Sequence, residues 1–198
     1  MATAPATDGR TARSQRTRIA VVDALLALLA AGNPRPTARE IAAQAGVSLR
    51  SVYVHFDDLD DLFIAASERQ VELVAHLLVE VPATGPLADR AERAMRVRER
   101  LYEQIGAVLR AAERQEPFSP ALAERRQIAR RLTRRDLERI FARELDRLAP
   151  AARERTVAIL ETLTSSSAWS NLRANGLSAL DARTAVTDAI VAVVGGNA

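Results

Sequence analysis

Apolar residues recur every three to four positions along most of the chain, and this spacing is typical of amphipathic helices. The first such stripe contains Ile19, Val22 and Leu25; it follows Ser14 or Thr17 as a helix start and ends before Gly32. Further long helices are predicted over residues 59–78, 87–112, 120–148, 151–174 and 179–194. Strand-like runs of β-branched and aromatic residues are missing, so the pattern predicts an all-α protein.

Two short helices are predicted within residues 37–56. Thr37 followed by Glu40 is a capping box, which starts a helix at Ala38. Gly46 ends that helix, because glycine readily adopts the positive φ needed after a helix. Ser48 then caps a second short helix. Two short helices joined by a turn that contains glycine form the helix-turn-helix pattern.

The second short helix has one apolar and one polar face. Val52 and Phe56, four residues apart, are predicted to point inward. The residues left on the outside form a set suited to DNA: Leu49, Arg50, Ser51, Tyr53 and His55. The alternative for the same pattern is a solvated helical hairpin.

The sequence of this region resembles the TetR (tetracycline-repressor) family of bacterial transcription regulators. The resemblance lies in G46-V47-S48, in Y53-x-H55-F56 and in the helix opening D58-L-D-D-L62-F63. It is specific over residues 16–78 and architectural beyond them. The family implies a homodimer with an N-terminal DNA-binding domain and a helical ligand-binding domain. We therefore expect a flexible arm at residues 1–13, a helix-turn-helix domain at 14–58 and an effector-binding and dimerisation domain at 59–198.

Arg50 is the predicted base-reading residue, because arginine can bond the O6 and N7 atoms of guanine together. Ser51 and Leu49 are expected to add base or methyl contacts, and Thr37, Tyr53 and His55 are assigned to the DNA backbone. The full predicted DNA-binding set is Thr37, Ser48, Leu49, Arg50, Ser51, Tyr53 and His55; Thr37, Tyr53 and His55 are assigned partly from matching family positions. The family usually has Gly or Pro and then Thr or Ala where this chain has Arg50 and Ser51, so base specificity cannot be carried over.

Leu59 is a second departure from the family pattern, since the family commonly has a lysine there that meets a DNA phosphate. In this chain the position is apolar and lies among Asp57, Asp58, Asp60 and Asp61. Either the helix start lies further from the DNA backbone, or the anchoring contact has moved to Arg35, Arg39 or the N-terminal arm. The alternative is that Leu59 is a core residue.

Charge is distributed unevenly along the chain. Residues 1–56 hold seven Arg against Asp8, Asp23 and Glu40, a net charge of 7 − 3 = +4, and the remainder carries 3 − 4 = −1. A basic N-terminal quarter on a nearly neutral body favours nucleic acid as the partner. Arg10 and Arg13 either reach DNA or belong to a solvated tail. No apolar stretch approaches the length of a membrane span and no signal peptide is found, so a cytoplasmic protein without membrane contact is expected.

The C-terminal body carries the remaining predictions. The small-residue faces of helices 151–174 and 179–194 predict a two-fold dimer interface, the alternative being ordinary intramolecular core. The arginines of residues 125–135 form either a solvated face or a stripe, Arg126-Arg130-Arg134, that meets an anionic effector or an acid from another helix. Arg98 is predicted to face inward on helix 87–112. Candidates for lining an effector pocket are Met95, Tyr102, Phe118, Phe141 and Trp169.

No catalytic or metal-binding constellation is recognisable in the sequence. There is no cysteine, and His55 and His76, the only two histidines, have no partner at ligand spacing. We therefore predict a non-enzymatic, cofactor-free DNA-binding regulator, a repressor released from a palindromic operator by an unknown small molecule. The alternative is a helical ligand- or protein-binding module without DNA-binding activity.

Overall fold

The structure is a computed structural model that describes residues 7–196, and every regular element within those residues is a helix. A one-turn 3₁₀ helix follows α4 at Ala75–Leu77, and another follows α5 at Glu116–Phe118. The α-helices are α1 (Thr7–Ala30), α2 (Ala38–Ala45), α3 (Leu49–His55), α4 (Leu59–Val74), α5 (Leu87–Gln115), α6 (Pro120–Ile140), α7 (Ala142–Leu145), α8 (Pro150–Leu163), α9 (Ser166–Ala174) and α10 (Ala179–Gly195). The all-α fold class is thus confirmed.

The first helix is longer than the sequence predicted. It begins at Thr7 rather than at Ser14 or Thr17, so residues 7–13, expected as part of a flexible arm, are helical. Alanine and arginine favour helix, and a single Gly9 costs only about 1 kcal/mol, which did not break the helix. The expectation for residues 1–6 lies outside the described residues.

A first buried cluster joins α1 to the helical hairpin and to α4. Leu25 and Ile41 are fully buried in it, and Val52 of α3 and Phe56, directly after α3, are 1% and 2% exposed. Ala111 of α5 and Leu122 of α6 belong to the same cluster. The N-terminal helices are therefore packed onto the body at the α5–α6 corner as well as being linked to it through α4.

A second buried cluster forms the core of the body around α5, α8 and α10. Among its fully buried side chains are Leu137, Phe141, Leu160 and Ile190. Buried Arg90 donates hydrogen bonds to the carbonyls of Ile140 and Gly85 and pairs with Glu144. The bond to Ile140 occupies a carbonyl at the end of α6, where the predicted single helix to residue 148 divides into α6 and α7.

The helix predicted over residues 151–174 is also two helices. The hydroxyl groups of Thr164 and Ser165 donate to the carbonyls of Leu160 and Thr162, and Ser165 accepts a bond from the N–H of Ala168. Hydroxyl side chains in a row compete with the backbone for such bonds, and this explains the break between α8 and α9.

Helical spacing does not bury every apolar position. Ile19 of the first predicted stripe is 41% exposed, and the similarly spaced Leu73, Ile128 and Leu132 are 41%, 44% and 59% exposed. On α4 the buried side is shifted by one residue to Val74, just before the 3₁₀ turn. Across the described residues, no helix is long and apolar enough to cross a membrane.

Candidate nucleic-acid interface

The helical hairpin is fixed by local backbone bonds that the sequence predicted. Thr37 Oγ1 accepts the Glu40 N–H at 3.3 Å, and the Thr37 N–H donates to Glu40 Oε2 at 2.7 Å, which completes the capping box. These bonds hold the pKa of Glu40 below its usual range, the backbone bond from Thr37 being the main cause. Gly46 takes the left-handed conformation at φ 67°, and Ser48 caps α3 by accepting the Ser51 N–H at 3.1 Å.

The faces of α3 agree with the predicted division. Val52 is buried, whereas Leu49 and Tyr53 are 38% and 52% exposed and Arg50 is exposed. Ser51 and His55 are half-buried. The carbonyl of His55 accepts a 2.8 Å bond from Arg18, whose guanidinium also lies 4.4 Å from the centre of the Phe56 ring. Arg18 thereby fixes the end of α3 on α1.

Val54 is an outward residue that the sequence analysis did not include. It is 69% exposed, the highest value of any large apolar side chain in the N-terminal helices. It lies four residues after Arg50, so both project from one side of α3. That spacing was available in the sequence and places Val54 where it can meet a thymine methyl group.

The hydroxyl groups of Thr37, Ser48 and Tyr53, all in the predicted DNA-binding set, differ in whether they already donate a hydrogen bond. The Thr37 hydroxyl donates to Glu40 Oε2 at 2.7 Å, so its proton is already used. The Ser48 hydroxyl accepts a bond but, within the described chain, donates none, and the Tyr53 hydroxyl has no hydrogen bond there. Ser48 and Tyr53 can therefore donate to a phosphate without breaking an existing bond.

In the part of the chain that the structure describes, the arginines that precede α4 have no carboxylate partner. Among the described residues, every ion pair involves an arginine at position 69 or beyond. Six exposed arginines of the first 56 residues therefore remain without an ion pair: Arg10, Arg13, Arg16, Arg35, Arg39 and Arg50. Unpaired guanidinium groups next to an exposed helix face can bind phosphate and guanine.

The arginine stripe of the body is, by contrast, neutralised by acids of other helices. Arg126 contacts Glu113 and Glu116, and Arg134 contacts Glu154 and Glu161. Of the interpretations that the sequence left open for this stripe, these contacts agree with pairing to acids of another helix.

The five predicted pocket residues do not line one cavity. Met95 and Phe141 are buried in the second cluster, and Phe118 is 73% exposed at the α5–α6 corner, beside a groove of about 420 Å³. Tyr102 and Trp169 lie together, with ring centres 6.4 Å apart, and both line a groove of about 560 Å³. The Tyr102 hydroxyl donates to Thr164 O at 2.6 Å, and burial raises the pKa of that phenol.

Comparison with known proteins identifies the N-terminal segment. Residues 21–66 match the profile of bacterial regulatory proteins of the tetR family. This interval contains the complete α2–turn–α3 hairpin and the start of α4. No curated protein matches the sequence.

Solved structures with the same fold cover nearly the whole chain. A transcriptional regulator from Rhodococcus sp. Rha1 is 24% identical, with a TM-score of 0.68 over 92% of this chain and 96% of the other. A tetR-family transcriptional regulator from Streptomyces coelicolor is 24% identical, with a TM-score of 0.74 over 92% of this chain and 82% of the other. The multidrug binding protein EbrR, solved in complex with malachite green, is 21% identical, with a TM-score of 0.54 over 92% and 98%. At these identities the likeness establishes the fold.

Proposed function

Since this chain carries the N-terminal domain of the TetR regulators on the fold of TetR-family transcriptional regulators, we propose that it represses transcription as a homodimer. In this proposal the dimer binds a palindromic operator and a small molecule releases it. The protein acts by binding and not by catalysis. Because its partner is chromosomal DNA, it works in the cytoplasm.

The observation that carries the proposal is the exposed face of α3. Arg50 and Val54 project from it, and no carboxylate of the described chain neutralises Arg50. Two such helices related by a dimer axis enter successive major grooves about 34–36 Å apart, which requires a palindromic operator. A module that had lost DNA binding would have no need for six exposed arginines without an ion pair within the described part of its first 56 residues.

The proposed dimer interface lies on the last helices, within residues 151–174 and 179–194. One side of α8 and α10 is buried in the chain, and Val157 and Ile190 lie there. On the same two helices Ile159 and Leu180 are 43% and 58% exposed. Exposed large apolar side chains on adjacent helices support a two-fold contact, and Leu180→Glu should convert a dimer to a monomer in light scattering.

In the proposed mechanism, a small molecule that binds the body releases the protein from DNA. This release is supported by the malachite green complex of EbrR, which shares this fold. It also agrees with the α5–α6 corner, whose Ala111 and Leu122 pack in the same cluster as the hairpin. A ligand that moves α5 or α6 therefore moves residues in contact with the DNA-binding helices. The division at residues 14–58 and 59–198 remains our proposal for the domain boundary.

The test begins by selecting the genomic DNA fragments that the purified protein binds. Sequencing these fragments identifies the selected site. Arg50→Ala should weaken binding to the selected site by about 1–3 kcal/mol and relax the preference at one base pair in each half-site. Arg96→Ala is the matched control, because Arg96 is exposed on α5 of the body. An equal loss on every sequence would assign Arg50 to phosphate, and no loss at all would contradict the proposed interface.

A further inference from the structure

A groove of about 350 Å³ lies between the segment that follows α4 and the helices α5 and α6. Leu78, Val79 and Leu132 line it although each is more than half exposed, at 56%, 59% and 59%. Val97 and Leu101 of α5 add further apolar surface. Small-molecule sites are typically concave, mostly apolar and equipped with a few polar groups, so this groove has the general character of one.

Arg98 is the polar group that distinguishes this groove. Its side chain lines the groove yet is only 8% exposed. A guanidinium group has five N–H donors. Among the described residues Arg98 uses one of them in a hydrogen bond, from Nη1 to the carbonyl of Ala94 at 3.3 Å. A nearly buried cation with so many free donors is costly unless an anion or water joins it.

The nearest carboxylate is already engaged by another arginine. Asp136 Oδ2 lies 3.8 Å from Arg98 Nη2, which is beyond hydrogen-bond distance, whereas Asp136 Oδ1 accepts a 2.7 Å bond from Arg139. Arg139 also approaches Glu80 at 3.3 Å, but the Glu80 side chain is 82% exposed. Asp136 and Glu80 thus both lie against Arg139, and among the described residues Arg98 is the guanidinium of this groove that has no hydrogen-bonded carboxylate.

We propose that this groove binds a monocarboxylic acid with an apolar body, whose carboxylate pairs with the guanidinium of Arg98. A carboxylate matches the planar fork of arginine and can accept two bonds from it. The apolar body would lie along Leu101 and Leu132, at the mouth of the groove. A neutral apolar ligand would instead cover Arg98 and leave its donors unpaired. This inference rests on the proposed function, for which it supplies the chemical class of the effector.

The first experiment compares two probes of equal length by titration calorimetry. Octanoate should bind at least about tenfold more tightly than octanamide, because only octanoate gives Arg98 a charged partner. Tyr102 also lines this groove and lies 6.4 Å from Trp169, so octanoate should shift tryptophan emission as well. Equal affinity for both probes, or no binding of either, would overturn the proposal.

Two substitutions at the polar end should act in opposite directions. Arg98→Gln should weaken octanoate binding by about tenfold or more and leave octanamide binding unchanged. Asp136→Asn removes the competing carboxylate and should tighten octanoate binding several-fold. Arg96→Gln, on the exposed side of the same helix, is the control and should change neither. If Arg98→Gln fails to fold, Asp136→Asn still tests the proposal. Weaker or unchanged octanoate binding by Asp136→Asn would contradict the proposed pairing of octanoate with Arg98.

A second pair of variants tests the apolar end. Leu132 and Ile128 are both exposed on α6, at 59% and 44%, and of these two Leu132 lines the groove. Leu132→Asn should weaken octanoate binding, and Ile128→Asn should not. If the two variants behave alike, octanoate does not lie in this groove.

Operator binding separates this inference from the function on which it rests. Octanoate binding that depends on Arg98 but leaves operator affinity unchanged would support the ligand class and contradict release by that ligand. Intact operator binding with no octanoate binding would overturn the ligand class and leave the DNA-binding regulator standing. By linkage, an octanoate that releases the operator must itself bind more weakly to the operator-bound protein, by the same factor.

Discussion

Leu59→Lys decides whether the start of α4 is a DNA contact or part of the core. Leu59 is the first residue of α4, is mostly buried and packs against the first cluster. It also lines the groove shared by Tyr53 and Phe118. The carboxylate of Asp58 caps the same helix by accepting the Asp61 N–H at 2.9 Å, so negative charge surrounds the position. The structure thus favours the core interpretation.

Full burial of a leucine side chain contributes about 1.5–3 kcal/mol, so replacing this mostly buried one by lysine should cost about 1–2 kcal/mol. Urea unfolding at one fixed protein concentration measures the loss, since a dimer's stability depends on concentration. Leu59→Met keeps the apolar contact and should cost less than about 1 kcal/mol. The dependence of log K on log salt for operator binding should not change.

A phosphate contact would give the opposite pair of results. Each added contact steepens the salt dependence by about 0.9, so a dimer with two lysines would gain nearly 2. The core interpretation would be refuted if Leu59→Lys steepened the dependence of log K on log salt by nearly 2 and left the free energy of unfolding in urea unchanged. That result would place the start of α4 on the DNA backbone, where the family commonly has lysine.

Three further predictions concern stability. Gly46→Ala should lower the free energy of unfolding by about 1–2 kcal/mol, since φ is 67° there. Gly106→Ala should raise it by about 0.5–1 kcal/mol, because Gly106 lies within α5 and a Cβ added there would meet only the flexible end of Arg110, at 3.3 Å. Equal effects of the two substitutions would contradict the backbone argument. The capping box should make the free energy of unfolding depend on pH, because the pKa of Glu40 is lowered on folding. The stabilisation by the Glu40 carboxylate is present at pH 6 and lost as the pH falls below about 4. In urea unfolding, Glu40→Gln should remove this part of the pH dependence. Glu144→Ala should cost about 3–5 kcal/mol, because it leaves the buried Arg90 without its anion, and a loss below 1 kcal/mol in the same assay would contradict the assigned pair.

The parts of the fold that the sequence predicted well are those fixed by contacts between near neighbours. The capping box at Thr37, the turn at Gly46 and the cap at Ser48 each depend on residues within five positions. The inward spacing of Val52 and Phe56 is equally local. The helix-turn-helix hairpin could therefore be predicted from residues 37–56 alone.

The parts that the sequence did not predict depend on contacts between distant residues. The division of helix 120–148 coincides with a bond from Arg90, fifty positions before Ile140. Leu132 has the spacing of a core residue but lines an open groove, because the segment after α4 does not cover it. The joining of Ala111 and Leu122 to the N-terminal cluster is likewise a consequence of tertiary packing.

Arg90 and Arg98 show why the groove could not be found from sequence. The two lie eight residues apart on the same side of α5, and both are buried. Arg90 donates to Gly85 and Ile140 and pairs with Glu144, so its donors are used inside the protein. Arg98 has a single hydrogen bond among the described residues, and it faces a groove. The two arginines have similar places in the sequence of α5 and differ in which distant groups reach them. That difference gives Arg90 a structural role and makes Arg98 the proposed ligand contact.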